Sequence, residues 1–216
     1  MLNIKFLYFQ KIKRLKKAII TLWVLLFFTG SIVCQEYYFK HYKVEDGLSH
    51  NTVLNSIQDK NGFMWFGTKN GLNRFDGYSF RLFQNNPEDP KSLQGNNIGC
   101  LHEYDNAIWV GTNNGLFRYN EKQENFDSVA GTEKKAIIGI ENDMSGHLWF
   151  IASGEVCKYN PTTKETHIFP SHDFFDASSI VKSSTNEIWA TSANKLHQYI
   201  KETNSFKTYS LNVKED

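Results

Sequence analysis

The stretch from Asp59 to Asp76, DKNGFMWFGTKNGLNRFD, returns three more times along the chain, and that repetition constrains the fold more than any other feature. In the first copy Trp65, Phe66, Gly67 and Thr68 precede Gly71, Leu72, Asn73, Arg74, Phe75 and Asp76, so two short apolar runs flank a predicted Asn-Gly turn at Asn70 and Gly71. The second copy is Trp109, Val110, Gly111, Thr112, then Gly115, Leu116, Phe117, Arg118, Tyr119, Asn120. A third runs from Trp149 to Asn160 and a fourth from Trp189 to Ile200, with some glycines replaced. Successive tryptophans are 44, 40 and 40 residues apart, and each stands ten residues before an aromatic: Phe75, Tyr119, Tyr159, Tyr199.

A fixed period of about 40 to 45 residues containing four short strands is the mark of a β-propeller blade. The fold expected is all-β: four four-stranded antiparallel blades, at approximately 51–84, 96–130, 136–170 and 178–210. In the first blade the strands are expected at Val53–Ile57, Phe63–Phe66, Leu72–Phe75 and Tyr78–Phe83. Asn-Gly at 70–71 and Asp-Gly at 76–77 suit tight hairpins, because a type I′ turn needs positive φ at both central residues. The runs Phe63-Met64-Trp65-Phe66 and His147-Leu148-Trp149-Phe150 are almost continuously apolar. A strand of that kind is buried on both faces, as when blades stack around an axis, and the tryptophans are expected between blades. The β-rich run Tyr37–Tyr42 stands alone before the first repeat and is a candidate latch strand for closing a ring.

Charge divides the chain in two. Residues 1–34 hold six cations (Lys5, Lys11, Lys13, Arg14, Lys16, Lys17) and no acid, whereas the remainder has 18 basic against 23 acidic residues. The repeats therefore lack the clustered Lys and Arg of a nucleic-acid surface, and no nucleic-acid partner is expected through them. The basic segment is followed by the apolar run 18–33, AIITLWVLLFFTGSIV, which at about 1.5 Å per residue falls short of a bilayer core of about 30 Å. Residues 1–34 thus describe an export signal cleaved after Cys34. An uncleaved anchor and lipid attachment at Cys34 are the alternatives. Cys34, Cys100 and Cys157 have no metal-ligand spacing, and the last two fall in expected strands, as small buried residues would.

The pattern Asp59-x-x-Gly62-x-x-Trp65-x-Gly67-Thr68-x-x-Gly71-Leu72-x-Arg74-Phe75-Asp76 resembles the two-component regulator propeller repeat. The lead-in Asp46-Gly47-Leu48-Ser49-x-Asn51-x-Val53 resembles the start of the periplasmic sensor region of Bacteroidetes hybrid two-component histidine kinases. The likeness covers about residues 38–209 and is stronger in the first two units. Ile151 and Thr191 stand in place of Gly67, and Glu155 and Lys195 in place of Gly71, which puts the turns of units three and four in question. What the resemblance implies is two seven-bladed propellers, a β-sandwich, one membrane helix, a kinase and a receiver, with the propellers detecting an oligosaccharide released from a glycan. The span 37–216 then corresponds to a partial propeller. Its implied partners are a small-molecule or oligosaccharide ligand and the remaining blades and signalling domains of a full-length sensor anchored in the inner membrane. A homodimer is open to it.

No catalytic constellation emerges from the residues. The seven histidines are scattered without zinc-ligand spacing, and neither a metal nor another cofactor is expected. Asp59 and Asp143 occupy equivalent repeat positions and read as turn formers rather than an acid–base pair. They also lie six residues before a tryptophan, one more than a sialidase-type Asp-box has. Binding is the better expectation, on the face where the hairpins between second and third strands gather with the blade-to-blade connections. Asn51, Asn70, Asn96 and Asn114 are the candidate ligand contacts there, since an amide both donates to and accepts from sugar hydroxyls. The competing reading makes these asparagines turn formers and backbone caps. A propeller lyase or glycosidase and a protein-binding scaffold are the alternative functions.

Overall fold

The computed structural model describes residues 2–28, 37–169 and 176–211, which divide into two units, Met1–His41 and Tyr42–Asp216. The first holds helix α1 (Leu2–Phe28). The cations from Lys5 to Lys17 are spread over nearly half of its length, and among the described residues no helix is long and apolar enough to cross a membrane. The apolar run expected at 18–33 is helical as far as Phe28. Its remainder and Cys34 lie outside the described residues.

In the second unit the repeats form four separate four-stranded sheets, each an antiparallel meander in chain order. The first blade is β1 (Val53–Gln58), β2 (Met64–Thr68), β3 (Gly71–Phe75) and β4 (Phe80–Phe83). The second is β5 (Ile98–Tyr104), β6 (Ala107–Thr112), β7 (Gly115–Asn120) and β8 (Asn125–Ser128). The third is β9 (Ile137–Asn142), β10 (Leu148–Ala152), β11 (Glu155–Tyr159) and β12 (Thr166–Ile168). The fourth is β13 (Ser179–Lys182), β14 (Ile188–Ser192), β15 (Lys195–Ile200) and β16 (Ser205–Ser210). Their first strands neighbour one another in succession, β1 beside β5, β5 beside β9 and β9 beside β13, so these are the inner strands about a common axis.

The hydrophobic core lies between blades. One cluster joins Trp65, Leu72 and Phe83 of the first blade to Ile98, Val110, Phe117 and Phe126 of the second. Another joins Trp109 and Leu116 to Ile137, Phe150 and Tyr159. The last joins Trp149, Val156 and Phe169 to Ile180, Ile188 and Ala190. Each cluster repeats one ring contact, tryptophan of one blade edge-on to tyrosine of the next: Trp65 on Tyr119 at 4.9 Å, Trp109 on Tyr159 at 5.9 Å, Trp149 on Tyr199 at 4.4 Å. Edge-to-face geometry at these separations is favourable for two quadrupolar rings. Trp65, Trp109 and Trp149 are at most 2% exposed. Trp189, with no following blade among the described residues, is half-buried and meets Tyr209 of its own sheet.

An anchored carboxylate sets the tryptophan rotamer in two blades. Asp59 accepts from the amides of Asn61 and Phe63 through Oδ1, and from the Trp65 indole through Oδ2 at 2.7 Å. Asp143 does the same for Ser145, His147 and the Trp149 indole at 2.9 Å. In the second blade the aspartate is missing because the loop is shorter: Asp105 and Asn106 form a two-residue hairpin with φ of 51° and 57°, and the Trp109 indole donates to the Tyr104 carbonyl instead.

Three local expectations are corrected. The run Tyr37–Tyr42 is not a strand: it joins no ladder among the described residues, and the Tyr42 ring packs edge-on against Phe75 and Phe80. The hairpins at Asn70-Gly71 and Asn114-Gly115 are not type I′. Thr68 pairs with Gly71 and Thr112 with Gly115, so the glycines already belong to the strands, and positive φ falls on Gly71 (118°) and Gly115 (132°) rather than on the asparagines. The fourth strand of the first blade begins at Phe80 rather than Tyr78, because the Asp76 carboxylate holds the amides of Tyr78 and Ser79 in an Asx turn.

The replaced glycines follow a size rule across the inner pair of strands. Asn55 faces Gly67 and Cys100 faces Gly111, whereas in the third blade the small residue has changed strands and Gly139 faces Ile151. A Cβ on Gly67 would stand 2.3 Å from Asn55 Oδ1, and one on Gly111 would stand 2.4 Å from Cys100 Sγ. In each of these three blades one side of the pair is bare, whereas in the fourth Ser179 faces Thr191. The inner strand also carries a bulge in each of the first three blades, skipping Leu54, Gly99 and Ile138.

Candidate functional site

A meander puts its hairpins at alternating ends, so each end of the blades gathers a different set of loops. At one end the hairpins β2–β3 and β6–β7 are tied to the blade-to-blade connections. Gly71 N–H donates to the Asn96 carbonyl, Asn113 N–H to the Asn97 carbonyl, and the Gln84 amide to the Asn70 carbonyl. Asn70, Asn96 and Asn114 are brought together here. Their side chains are largely engaged with backbone: Asn96 Oδ1 accepts from the Asn85 amide at 2.7 Å, and Asn114 Nδ2 donates to the Gln94 carbonyl at 2.7 Å. Asn51 Oδ1 accepts from the Val44 amide at 3.1 Å. The Asn70 side chain is exposed and makes no hydrogen bond among the described residues.

The opposite end carries the charged chemistry. One residue before each aromatic of the third strand stands Arg74, Arg118, Lys158 or Gln198. Arg74 reaches across to the second blade, donating to the Tyr119 hydroxyl at 3.1 Å and to Glu124 at 3.3 Å, while lying 4.8 Å over the Phe63 ring. Arg81 pairs with the same Glu124. Lys158 donates to the Tyr199 hydroxyl at 3.1 Å, and that hydroxyl donates to Asn204 at 2.8 Å. Between the second and third blades the pattern breaks. The Arg118 side chain is exposed and has no hydrogen bond or ion pair among the described residues, and neither has the Tyr159 hydroxyl. Burial raises the pKa of the Tyr159 phenol, and the Arg118 charge works against that rise. A groove of about 390 Å³ opens here, its lining including Arg118, Tyr159, Lys164, Lys91, Asp105 and Asp127. The corresponding space beside Trp65, Arg74 and Tyr119 holds about 20 Å³. Sequence reasoning missed this groove. The signal was present in the 40-residue step from Glu124 to Lys164 to Asn204, which exchanges an acid for a base.

Reactive groups are held inert. Burial pushes the thiols of Cys100 and Cys157 up to about 12, far from the thiolate form a nucleophile needs. Among the described residues no three His, Cys, Asp or Glu side chains cluster as metal ligands. His197 is fully buried between the Ser192 and Thr208 hydroxyls, sealed from substrate. Asp143 is opposed by burial, which raises its pKa, but its hydrogen bonds from the Trp149 indole and the His147 amide outweigh that and the net shift is downward. A lowered folded-state pKa contributes stability that is present above the ordinary Asp value and is lost as pH falls through the folded value. Asp143→Asn is therefore expected to lower stability by about 1 kcal/mol at pH 7 and to shrink the further loss between pH 5 and pH 3, read as urea midpoints at the three pH values.

Residues 47–70 match the two component regulator propeller family model. The matched residues run from the lead-in turn through β1 and β2 of the first blade. Over 55 residues the chain is 49% identical to histidine kinase P4 of Formosa agariphila, an overlap of 26% of this chain and 4% of that kinase. The match thus spans a small fraction of the relative's length. Among solved structures, the extracellular domain of a hybrid two component system from B. thetaiotaomicron superposes with a TM-score of 0.62 at 22% identity, covering 76% of this chain and 22% of that one. Virginiamycin B lyase from Staphylococcus aureus superposes with a TM-score of 0.57 at 20% identity, covering 74% and 56%. At these identities the structural likeness concerns the propeller fold, which regulator propellers share with enzymes.

Proposed function

We propose that this chain is part of the extracytoplasmic sensing propeller of a hybrid two-component histidine kinase, a ligand-binding region without catalytic activity of its own. In this reading residues 1–34 are the export signal, and the four blades belong to a larger ring whose remaining blades and signalling domains complete the sensor. The ligand class is a glycan-derived oligosaccharide. The observation that carries the reading is the regulator propeller repeat at 47–70, and the local identity to a histidine kinase supports it. The described residues offer hydrogen-bonding loop ends and buried, inert thiols, which suit recognition better than bond cleavage.

The test is calorimetric titration of the chain with oligosaccharide fractions from digested polysaccharides, with each fraction analysed before and after incubation. The expected result is saturable binding of one fraction with every glycan recovered unchanged. Turnover of any fraction would overturn the non-enzymatic reading, and silence across all fractions would overturn the ligand class.

A further inference from the structure

The repeat defines what each blade junction contains, so the junction that departs from it can be recognised. Glu124, Lys164 and Asn204 are equivalent: each lies in the hairpin between third and fourth strands and takes positive φ, at 50°, 62° and 47°. In the first junction Glu124 neutralises Arg74 and Arg81. In the third Asn204 accepts from Tyr199, whose hydroxyl also receives Lys158. In the second the equivalent residue is Lys164, so Arg118 faces a groove shared with another cation where its counterpart faces an acid. The hairpin carboxylate that the first junction supplies is missing from the second; Asp127, the cross-strand neighbour of Arg118, pairs with Lys91 instead, and open space stands where Glu124 would reach.

We propose that the groove between the second and third blades binds an oxyanion, the carboxylate or sulfate group of a small molecule, held by Arg118, Lys164 and the Tyr159 hydroxyl. The guanidinium offers two parallel N–H donors that match the two oxygens of such a group, and a charge-assisted pair of this kind is about twice as strong as a neutral hydrogen bond. Lys164 adds a second positive charge, and the Tyr159 hydroxyl is a third donor lining the groove. Two acids are also present. Asp127 is already paired with Lys91, and Asp105 is left as the one carboxylate among the lining residues without an ion pair. Lys91 and Asp127 cancel, so Arg118 and Lys164 against Asp105 leave the groove positive. This inference goes beyond the sensing reading and does not depend on it, because the groove would hold its ion whether or not the chain signals.

The test is titration of the chain, followed by amide chemical shifts at constant ionic strength, with sodium sulfate, sodium D-galacturonate and neutral D-galactose. Saturable shifts around Arg118 and Lys164 are expected with at least one of the two anions, and the stronger of them identifies the group; galactose should produce none. Arg118→Gln should weaken the anion at least about tenfold. Lys164→Glu should abolish anion binding while raising Tm, because the new carboxylate takes the place Glu124 holds beside Arg74. Linear, unsaturable responses of the wild-type chain to both anions, or undiminished binding by either variant, would overturn the proposal.

Discussion

Trp149→Ala is expected to destabilise the chain by about 3–5 kcal/mol, the range for removing a large aromatic from a closed core. Its indole is fully buried and meets Tyr199 at 4.4 Å, Phe169 at 5.5 Å and Phe206 at 6.0 Å. It also satisfies Asp143, whose carboxylate would lose its indole donor. The surrounding rings belong to two sheets that cannot collapse toward each other without breaking their own ladders, so the cavity stays open. Trp189→Ala removes the same side chain from the same repeat position but from a half-exposed face, and should cost about 1–2 kcal/mol, of the order of partial burial alone. Urea unfolding of the two variants in parallel measures the difference. Equal losses would mean that the repeats do not stack through their tryptophans.

Gly99→Ala should cost about 1–3 kcal/mol or more through overpacking. Gly99 is the residue skipped by the bulge in β5, and a Cβ there would stand 2.5 Å from the Ile137 carbonyl oxygen of the neighbouring inner strand. The obstructing atom is backbone, so no rotamer change relieves it, and the inner strands of the second and third blades must separate. Gly131→Ala is a useful contrast. Its Cβ would meet nothing within 4 Å, but its φ of 82° is unfavourable for alanine, so that variant reports backbone strain without crowding. Thermal melts of the two variants distinguish the effects: loss confined to local turn strain would make them alike, whereas close approach of inner strands makes Gly99→Ala the more damaging.

Much of this arrangement was legible in the chain because the repeat carries its own register. A tryptophan every 40 to 44 residues, always ten before an aromatic, puts those residues at equivalent positions in each blade. That the tryptophans pack between blades was legible from it; the particular pairs Trp65–Tyr119, Trp109–Tyr159 and Trp149–Tyr199 needed the structure. Turn geometry was less legible. Asn-Gly suggested a two-residue loop at 70–71, but the Thr68 hydroxyl accepts from the Asn70 amide and donates to the Gly71 carbonyl, which shifts the loop back by one residue. The replaced glycines at Ile151 and Thr191 looked like erosion along one strand. Across the pair Ile151 is compensated by Gly139, a relation that needs the strand register to be seen, while Thr191 faces the small Ser179.

The binding residues were the least legible part. Asn51, Asn96 and Asn114 were chosen for their chemistry and loop position, yet their side chains are engaged with the Val44 amide, the Asn85 amide and the Gln94 carbonyl. A sequence shows that an asparagine lies in a turn but not whether the turn consumes its amide. The run Tyr37–Tyr42 joins no ladder among the described residues. Strand propensity was present, but a strand forms only against an edge that supplies its hydrogen bonds. Conversely, the exchange of Glu124 for Lys164 could have been read by aligning the copies, because charge at an equivalent position needs no coordinates to be noticed.

The central claim, that the repeats stack as wedges through a tryptophan lock made at three junctions and left open at the fourth tryptophan, is tested most directly by fluorine NMR of the chain labelled with 5-fluorotryptophan. Each resonance would be assigned by single Trp→Phe replacement and its shift compared in H₂O and D₂O. Trp65, Trp109 and Trp149 should show no solvent isotope shift while Trp189 shows a clear one. Solvent-sensitive signals from all four repeat tryptophans, or a Trp189 as protected as Trp149, would contradict it.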